Sequence, residues 1–308
     1  MSDRQPTTVV PLRDVVHDVI APTPMDDPAG SRRSRRRWWL PFSAWHLLLM
    51  PTALLFLLPL VWMLTTSFMS DKEINVFPPR WFPSHIDFGG YTQLFHDSGI
   101  LRWTVNTTIV TAIAVVSHMI LCSLAGYGFA RLKFDGRNTS FFLMIATIMI
   151  PIQLLMIPTF VMFSRMHIID TLAAAFVPWL ASAFGIFLMR QFFLALPVDL
   201  EDAGRMDGCN RFQVLWHIVL PLARPALATL AVFTLLGAWN DLIWPLIAIS
   251  NEKWYTIQLG LANFQGTRHT QWEVLMAGNV IATLPLVAGF VIAQRQFVET
   301  MTFTSVKG

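Results

Sequence analysis

The chain has 308 residues, of which 54% are hydrophobic and only 13% charged, and its net charge is +3. Because soluble domains carry about 25% charged residues, this composition excludes an ordinary soluble domain and predicts a membrane protein with several spans. The two cysteines, Cys122 and Cys209, lie far apart. That spacing argues against a disulfide framework or a zinc site.

Residues 1–37 differ from the rest, because five prolines interrupt them and acidic and basic residues alternate. We predict a disordered cytoplasmic extension here and a transmembrane domain over 38–308. Five arginines followed by two tryptophans (residues 32–39) are typical of a membrane surface. A nucleic-acid patch is disfavoured directly before a span, and the apolar run 47–68 is too long for a cleaved signal peptide.

Six segments are long enough to cross a bilayer, which takes about 20 apolar residues. Their predicted bounds are 46–68, 104–126, 141–163, 172–194, 225–249 and 274–294. With the N-terminus inside, 16 of the 22 lysines and arginines lie on the inner side. Since positive residues are retained inside, both termini are predicted to be cytoplasmic.

The most polar long segment between two predicted spans is residues 196–225, called here the elbow. Two short helices fit it, the first over about 198–206 with acidic residues in its opening turn. Gly208 permits a turn and Asn210 can cap the second helix. That helix has apolar residues at i, i+3, i+4 and i+7, which predict one apolar stripe: Phe212, Leu215, Trp216 and Val219. Prolines 221 and 225 then interrupt it.

The elbow contains the pattern Glu-x-Ala-x-x-x-Asp-Gly, then nine residues, then Ile-x-Leu-Pro, formed by Glu201, Ala203, Asp207, Gly208, Ile218, Leu220 and Pro221. It resembles the EAA loop of ABC-importer permease subunits, which docks in a cleft of the cytoplasmic ATPase. Four further stretches are similar to carbohydrate-type permeases: Gly126–Arg137, Trp239–Asp241, Ile257–Leu261 and Val306–Gly308. One departure is Gly204, where the family usually has alanine; glycine weakens a helix by about 1 kcal/mol.

The resemblance, to the smaller permease subunit of maltose-type and glycerol-phosphate-type importers, implies an all-α type I permease fold in a bacterial cell membrane. It implies transport of a di- or oligosaccharide, or a related carbohydrate such as a glycerol phosphate ester. The implied partners are a second homologous permease subunit in a heterodimer, an ABC ATPase dimer and an extracytoplasmic sugar-binding protein or lipoprotein. ATP and Mg²⁺ would sit on the ATPase. The chain itself would hold no cofactor, metal or nucleic acid.

Three groups of candidate site residues follow from the resemblance. The ATPase-coupling group is Glu201, Asp202, Ala203, Asp207, Gly208, Asn210, Arg211 and Phe212. The translocation-path group is Trp239, Asn240 and Asp241, where a carboxylate inside a span marks a water-filled path or a buried partner. We expect Asn240 to share the hydrogen bonds of Asp241. In the outer loop the candidates are Gly266, Thr267, Arg268, His269 and Thr270, because the family's loop reaches into the binding protein; a solvated connector is the alternative.

No P-loop, GxSxG, Rossmann or HExxH motif is present, so we predict a transport subunit rather than an enzyme. A secondary ion-coupled transporter using Asp241 is the alternative, and a membrane scaffold without transport is a weaker one. The elbow favours the ATP-driven importer, because a secondary carrier needs no ATPase-docking loop.

Overall fold

The computed structural model describes residues 44–266 and 270–305, with side chains described over 46–266 and 270–291. The predicted extension 1–37 lies outside these residues. Within them the regular structure is helical, apart from one antiparallel bridge between Gln265 and Thr270. The α-helices are α1 Ala44–Thr66, α2 Asp71–Ile74, α3 Gly89–Asp97, α4 Ile100–Arg131, α5 Arg137–Ala146, α6 Ile152–Arg165, α7 Leu172–Phe176, α8 Ala183–Ala195, α9 Asp199–Met206, α10 Arg211–Val214, α11 Leu220–Leu222, α12 Arg224–Trp239, α13 Ile243–Ala248, α14 Ile257–Ala262 and α15 Trp272–Ser305.

The chain divides into two compact units, with the boundary inside α1 after Phe56. The described part of the first unit is a stretch of apolar helix, and the second unit holds all later elements. By length and composition, four helices of the described residues can cross a membrane, or up to six if each of two bent pairs is one span. The predicted all-α architecture is confirmed, and the six predicted spans fall within the range of four to six that the described helices allow.

The predicted third span, 141–163, is divided in the structure. The helical segment that ends at Met149 and α6 are bent by 103° relative to each other. Pro151 lies between them, lacks an N–H to donate and disfavours helical geometry at Ile150, which is extended (φ −85°, ψ 116°). One span of the sequence therefore consists of two helices in the structure.

The predicted fifth span, 225–249, is also divided. Just before it, at Ala223, the chain bends by 79° between the end of the elbow and α12. The span itself is interrupted at residues 240–242, between α12 and α13. The prolines at 221 and 225 fit the first bend, as the sequence predicts.

Helix α4 forms the centre of the packing, with α8 and α12 along its sides. A Cβ atom added to Gly126 would lie 2.8 Å from Cβ of Met189 and 3.0 Å from the backbone nitrogen of Arg190. The glycine therefore lets α4 and α8 approach closely, which is how small residues pack helices in membranes. α4 continues to Arg131, five residues beyond the predicted end of the second span at 126.

We expect Gly126→Val to force α4 and α8 apart, because overpacking of a tight contact costs about 1–3 kcal/mol. Thermal unfolding of the detergent-solubilised protein measures this as a lower midpoint. Gly128→Val is the matched control on the same helix, since nothing lies within 4 Å of its Cβ position. Equal midpoints for the two variants would contradict the prediction.

Candidate functional site

The local structure of the elbow follows its sequence closely. α9 covers Asp199–Met206 with three acidic residues in its first turn, and Gly208 adopts the left-handed conformation (φ 88°). Asn210 then accepts a hydrogen bond from the backbone N–H of Gln213 (2.9 Å), while the Gln213 side chain accepts one from the Asn210 N–H (2.8 Å). This capping box fixes the start of α10. The predicted turn and cap are therefore confirmed.

Glu201 points into the protein and is only 2% exposed. One carboxylate oxygen accepts a hydrogen bond from the Tyr127 hydroxyl (3.0 Å). The other accepts one from Nε of Arg131 (2.5 Å) in an ion pair whose arginine and glutamate side chains are 9% and 2% exposed. The same guanidinium also donates to the Leu196 carbonyl (2.8 Å). The end of α4 thus holds both the start of the elbow and its first helix.

Gly204 packs against the second half of the elbow. A Cβ at this position would lie 2.4 Å from Cδ1 of Ile218. The glycine that the sequence marks as a departure from the family pattern therefore permits a close contact between α9 and the following helix. Glycine lowers the stability of the helix, but here it also makes room for Ile218. The sequence alone does not show this packing role.

Only two of the four residues in the predicted apolar stripe of the second elbow helix are buried. Leu215 and Val219 are buried, whereas Phe212 and Trp216 are 62% and 55% exposed. The two exposed rings stack on each other, with centroids 6.2 Å apart. A π-helical turn covers Leu215–Val219, and Phe212, Leu215 and Trp216 line one apolar groove beside α4.

The predicted coupling residues thus divide into two sets. Glu201 is interior, while the others are exposed: Asp202, Ala203, Asp207, Gly208, Asn210, Arg211 and Phe212. Phe212 lines an apolar groove along α4 together with Leu215 and Trp216. Sequence reasoning missed Met206, whose side chain is 86% exposed next to the turn. It also missed Tyr127 and Arg131, because no local signal connects residues about 70 positions away from Glu201.

The interruption after α12 holds the second group. Asp241 accepts a hydrogen bond from Nε1 of Trp179 (3.0 Å) and a longer one from the backbone N–H of Trp244 (3.5 Å). The expectation that Asn240 shares these bonds is wrong. Its amide instead donates to the Leu236 carbonyl (2.8 Å), and its oxygen accepts from Gln258 (3.3 Å).

Trp239 lies apart from its two neighbours in sequence. It is buried, and its indole N–H donates to the Ala282 carbonyl on α15 (3.0 Å). Asn240 and Asp241, by contrast, line a cavity of about 450 Å³. The structure therefore brings two of the three predicted path residues together, and the third ties α12 to α15.

The outer loop is described in part. Gln265 and Thr270 form an antiparallel bridge, and the Gln271 N–H donates to the Phe264 carbonyl (3.1 Å). The two sides of the loop are therefore paired at its base. Gly266 is exposed. Three predicted residues lie outside the described part of the chain: Thr267, Arg268 and His269. Among the described residues, no group of three or more His, Cys, Asp or Glu side chains could hold a metal ion.

Residues 121–302 match the family described as binding-protein-dependent transport system inner membrane component. The chain belongs to this family. It is therefore a multi-pass inner-membrane component of an ABC importer and not itself an enzyme. This membership gives no support to the ion-coupled alternative.

Relatives and solved structures agree with this family. The arabinooligosaccharides transport system permease protein AraQ of Bacillus subtilis is 33% identical over 73% of this chain and 81% of its own length. The sn-glycerol-3-phosphate transport system permease protein UgpE of Yersinia pestis is 29% identical over 82% and 93%. A bacterial ABC transporter involved in the import of alginate has the same fold, with a TM-score of 0.73 over 94% of this chain and all of that one, at 23% identity.

We expect Glu201→Gln to destabilise the elbow strongly, because removing one partner of a buried ion pair costs about 3–5 kcal/mol. Limited proteolysis of the purified protein reports this as faster cleavage between residues 196 and 225. Asp202→Asn is the matched control, because its ion pair with Arg205 (3.1 Å) is exposed and such pairs contribute about 0–1 kcal/mol. Cleavage of both variants at the wild-type rate would contradict an anchoring role.

Proposed function

We propose that this chain is one of two permease subunits that together form the sugar path of an ATP-driven importer. The observation that carries the proposal is the elbow: a polar surface of short helices, held in one orientation by a buried carboxylate. The relatives named for arabinooligosaccharides and for sn-glycerol 3-phosphate support a carbohydrate or related substrate. The partners are a second homologous permease, an extracytoplasmic binding protein and an ABC ATPase dimer that carries ATP and Mg²⁺.

The exposed residues of the elbow form the ATPase-docking surface in this proposal. On the first helix the exposed residues are Asp202 and Ala203, and Asp207 directly follows it. At the start of α10 they are Asn210 and Arg211. Met206 supplies an exposed apolar contact beside the turn, as hydrophobic side chains at interfaces do. Glu201 acts indirectly, since it holds the surface against α4. Phe212 faces the apolar groove and completes the surface on the membrane side.

The substrate path in this proposal includes the cavity beside Asn240 and Asp241. Both are polar groups within a predicted span, and such groups are costly unless they face water or a partner. A translocation path supplies the water. At the outer face, the loop from Gly266 to Thr270 contacts the binding protein.

Reconstitution tests this function directly. The full complex is purified from its host, placed in proteoliposomes with ATP inside, and supplied with loaded binding protein outside. We expect uptake of arabinotriose or a similar oligosaccharide that requires ATP and continues after an ionophore collapses the proton gradient. Strict dependence on the gradient, with no requirement for ATP, would overturn the proposal in favour of an ion-coupled carrier.

Gly208→Val is expected to reduce coupled uptake or release the ATPase, because a β-branched residue at φ 88° forces the docking turn to change. Uptake and ATP hydrolysis are measured together in the proteoliposomes. Gly136→Val is the matched control: that glycine is also left-handed (φ 78°), and nothing lies within 4 Å of either Cβ position. The control carries the same backbone strain outside the elbow. Normal coupling in Gly208→Val would remove the turn from the docking surface.

A further inference from the structure

Three membrane spans are interrupted beside one cavity. The third span breaks at residues 150–151, the fourth at 180–182 and the fifth at 240–242. The cavity is lined from each of these regions, by Ile152, Ser182 and Asn240 among others. Irregular backbone leaves N–H and C=O groups without helical partners, and at membrane depth this is tolerated only where the backbone is buried in protein or lines a water-filled space. Three breaks at one place therefore indicate a space that water or a ligand enters.

The cavity has the composition of a ligand site rather than of a packing defect. Its volume of about 450 Å³ lies in the range of about 300–1,000 Å³ that is usual for small-molecule pockets. The walls are mostly apolar, with a few polar groups from different helices, among them Thr159 on α6 and Asp241 after α12. Such a combination binds a ligand that has both apolar and hydrogen-bonding surfaces.

Trp179 and Asp241 are held as a fixed pair. The indole N–H donates to one carboxylate oxygen of Asp241 (3.0 Å). The benzene part of the same indole packs on Gly237, where an added Cβ would lie 2.7 Å from the ring. The ring is thus fixed by a hydrogen bond and by a helix backbone. A carboxylate has about four acceptor positions, and two N–H groups contact Asp241, so acceptor capacity remains.

The charge of the cavity limits the class of ligand. The lining includes the carboxylate of Asp241 and the buried imidazole of His118, whose Nδ1 contacts the Ala114 carbonyl (3.1 Å), and it contains neither lysine nor arginine. An anionic group such as a phosphate ester would meet the Asp241 carboxylate without a lysine or arginine to offset the repulsion. A neutral sugar suits the site, because its hydroxyls donate to a carboxylate and its C–H face packs on the electron-rich face of an indole.

We propose that this cavity is a binding subsite for a neutral sugar ring, with Asp241 accepting hydroxyl hydrogen bonds and Trp179 stacking on the ring. The proposal rests on the proposed function, which brings a sugar into the membrane domain. It goes further in assigning sugar contacts to this chain's own residues. It also selects neutral sugars over phosphate esters.

Protection of an engineered thiol tests the subsite. Thr159→Cys places a thiol in the cavity, and Leu154→Cys places one on the same helix, exposed and outside the lining. Cys209→Ser removes the partly exposed native thiol, while Cys122 is buried. The full complex is treated with a charged methanethiosulfonate reagent, with and without a non-hydrolysable ATP analogue. The probes are arabinotriose, diacetylchitobiose and glycerol 3-phosphate.

We expect a neutral sugar to slow modification of the cysteine at 159 in at least one nucleotide state, and to leave the cysteine at 154 unaffected. Asp241→Asn should raise the sugar concentration needed for half-protection roughly tenfold, since a charge-assisted hydrogen bond is lost. Asp170→Asn is the matched control. That carboxylate also accepts two N–H groups, from Ser250 (2.9 Å) and Asn251 (2.6 Å), but lies outside the cavity.

Three results would overturn the subsite. The first is no protection by either neutral sugar in either nucleotide state, in a complex that imports one of them with ATP. The second is protection by glycerol 3-phosphate equal to that by the neutral sugars. The third is the same loss of protection in Asp170→Asn as in Asp241→Asn, which would indicate a structural effect. Absence of ATP-dependent uptake in the wild-type complex would instead overturn the proposed function.

Discussion

The buried ion pair between Glu201 and Arg131 determines how the rest of the elbow is presented. Burying a carboxylate without a partner costs several kcal/mol, so Glu201 is stable in the interior only while the end of α4 supplies a cation and the Tyr127 hydroxyl. Those partners fix the rotation of α9 about its own axis. Because an α-helix has 3.6 residues per turn, fixing one face inward fixes Asp202, Ala203 and Met206 on the outward faces.

The cavity beside Asp241 depends on a related constraint, the cost of polar groups at membrane depth. Asn240 bonds to a backbone carbonyl and to Gln258, and Asp241 bonds to Trp179. Trp179 belongs to the fourth span, so its bond to Asp241 holds the interrupted ends of the fourth and fifth spans together where helical hydrogen bonds are missing. Apolar residues at the same positions would leave the breaks without such partners.

Local signals explain which features the sequence predicts. The turn at Gly208, the cap at Asn210 and the bend near Ala223 each follow from residues within a few positions, and the structure contains all three. The anchor of Glu201 was missed because its partners are 70 or more positions away. The apolar spacing predicted the contact of Leu215 and Val219 with the core, but spacing alone does not show that Phe212 and Trp216 remain exposed beside a groove. The membrane orientation of the termini stays a prediction from charge.

The elbow and the cavity are connected by a single helix. The core contacts of Val214, Leu215 and Val219 bury the second half of the elbow against α4 and α8, and the chain then passes through Ala223 directly into α12. α12 has 16 residues, which corresponds to a length of about 24 Å, and it ends at the interruption that holds Asn240 and Asp241. A displacement of the docking surface that turns α12 therefore moves these two side chains relative to Trp179, which belongs to another span. The hydrogen bond between Trp179 and Asp241 joins these two spans, so a rotation of α12 would have to stretch or break it.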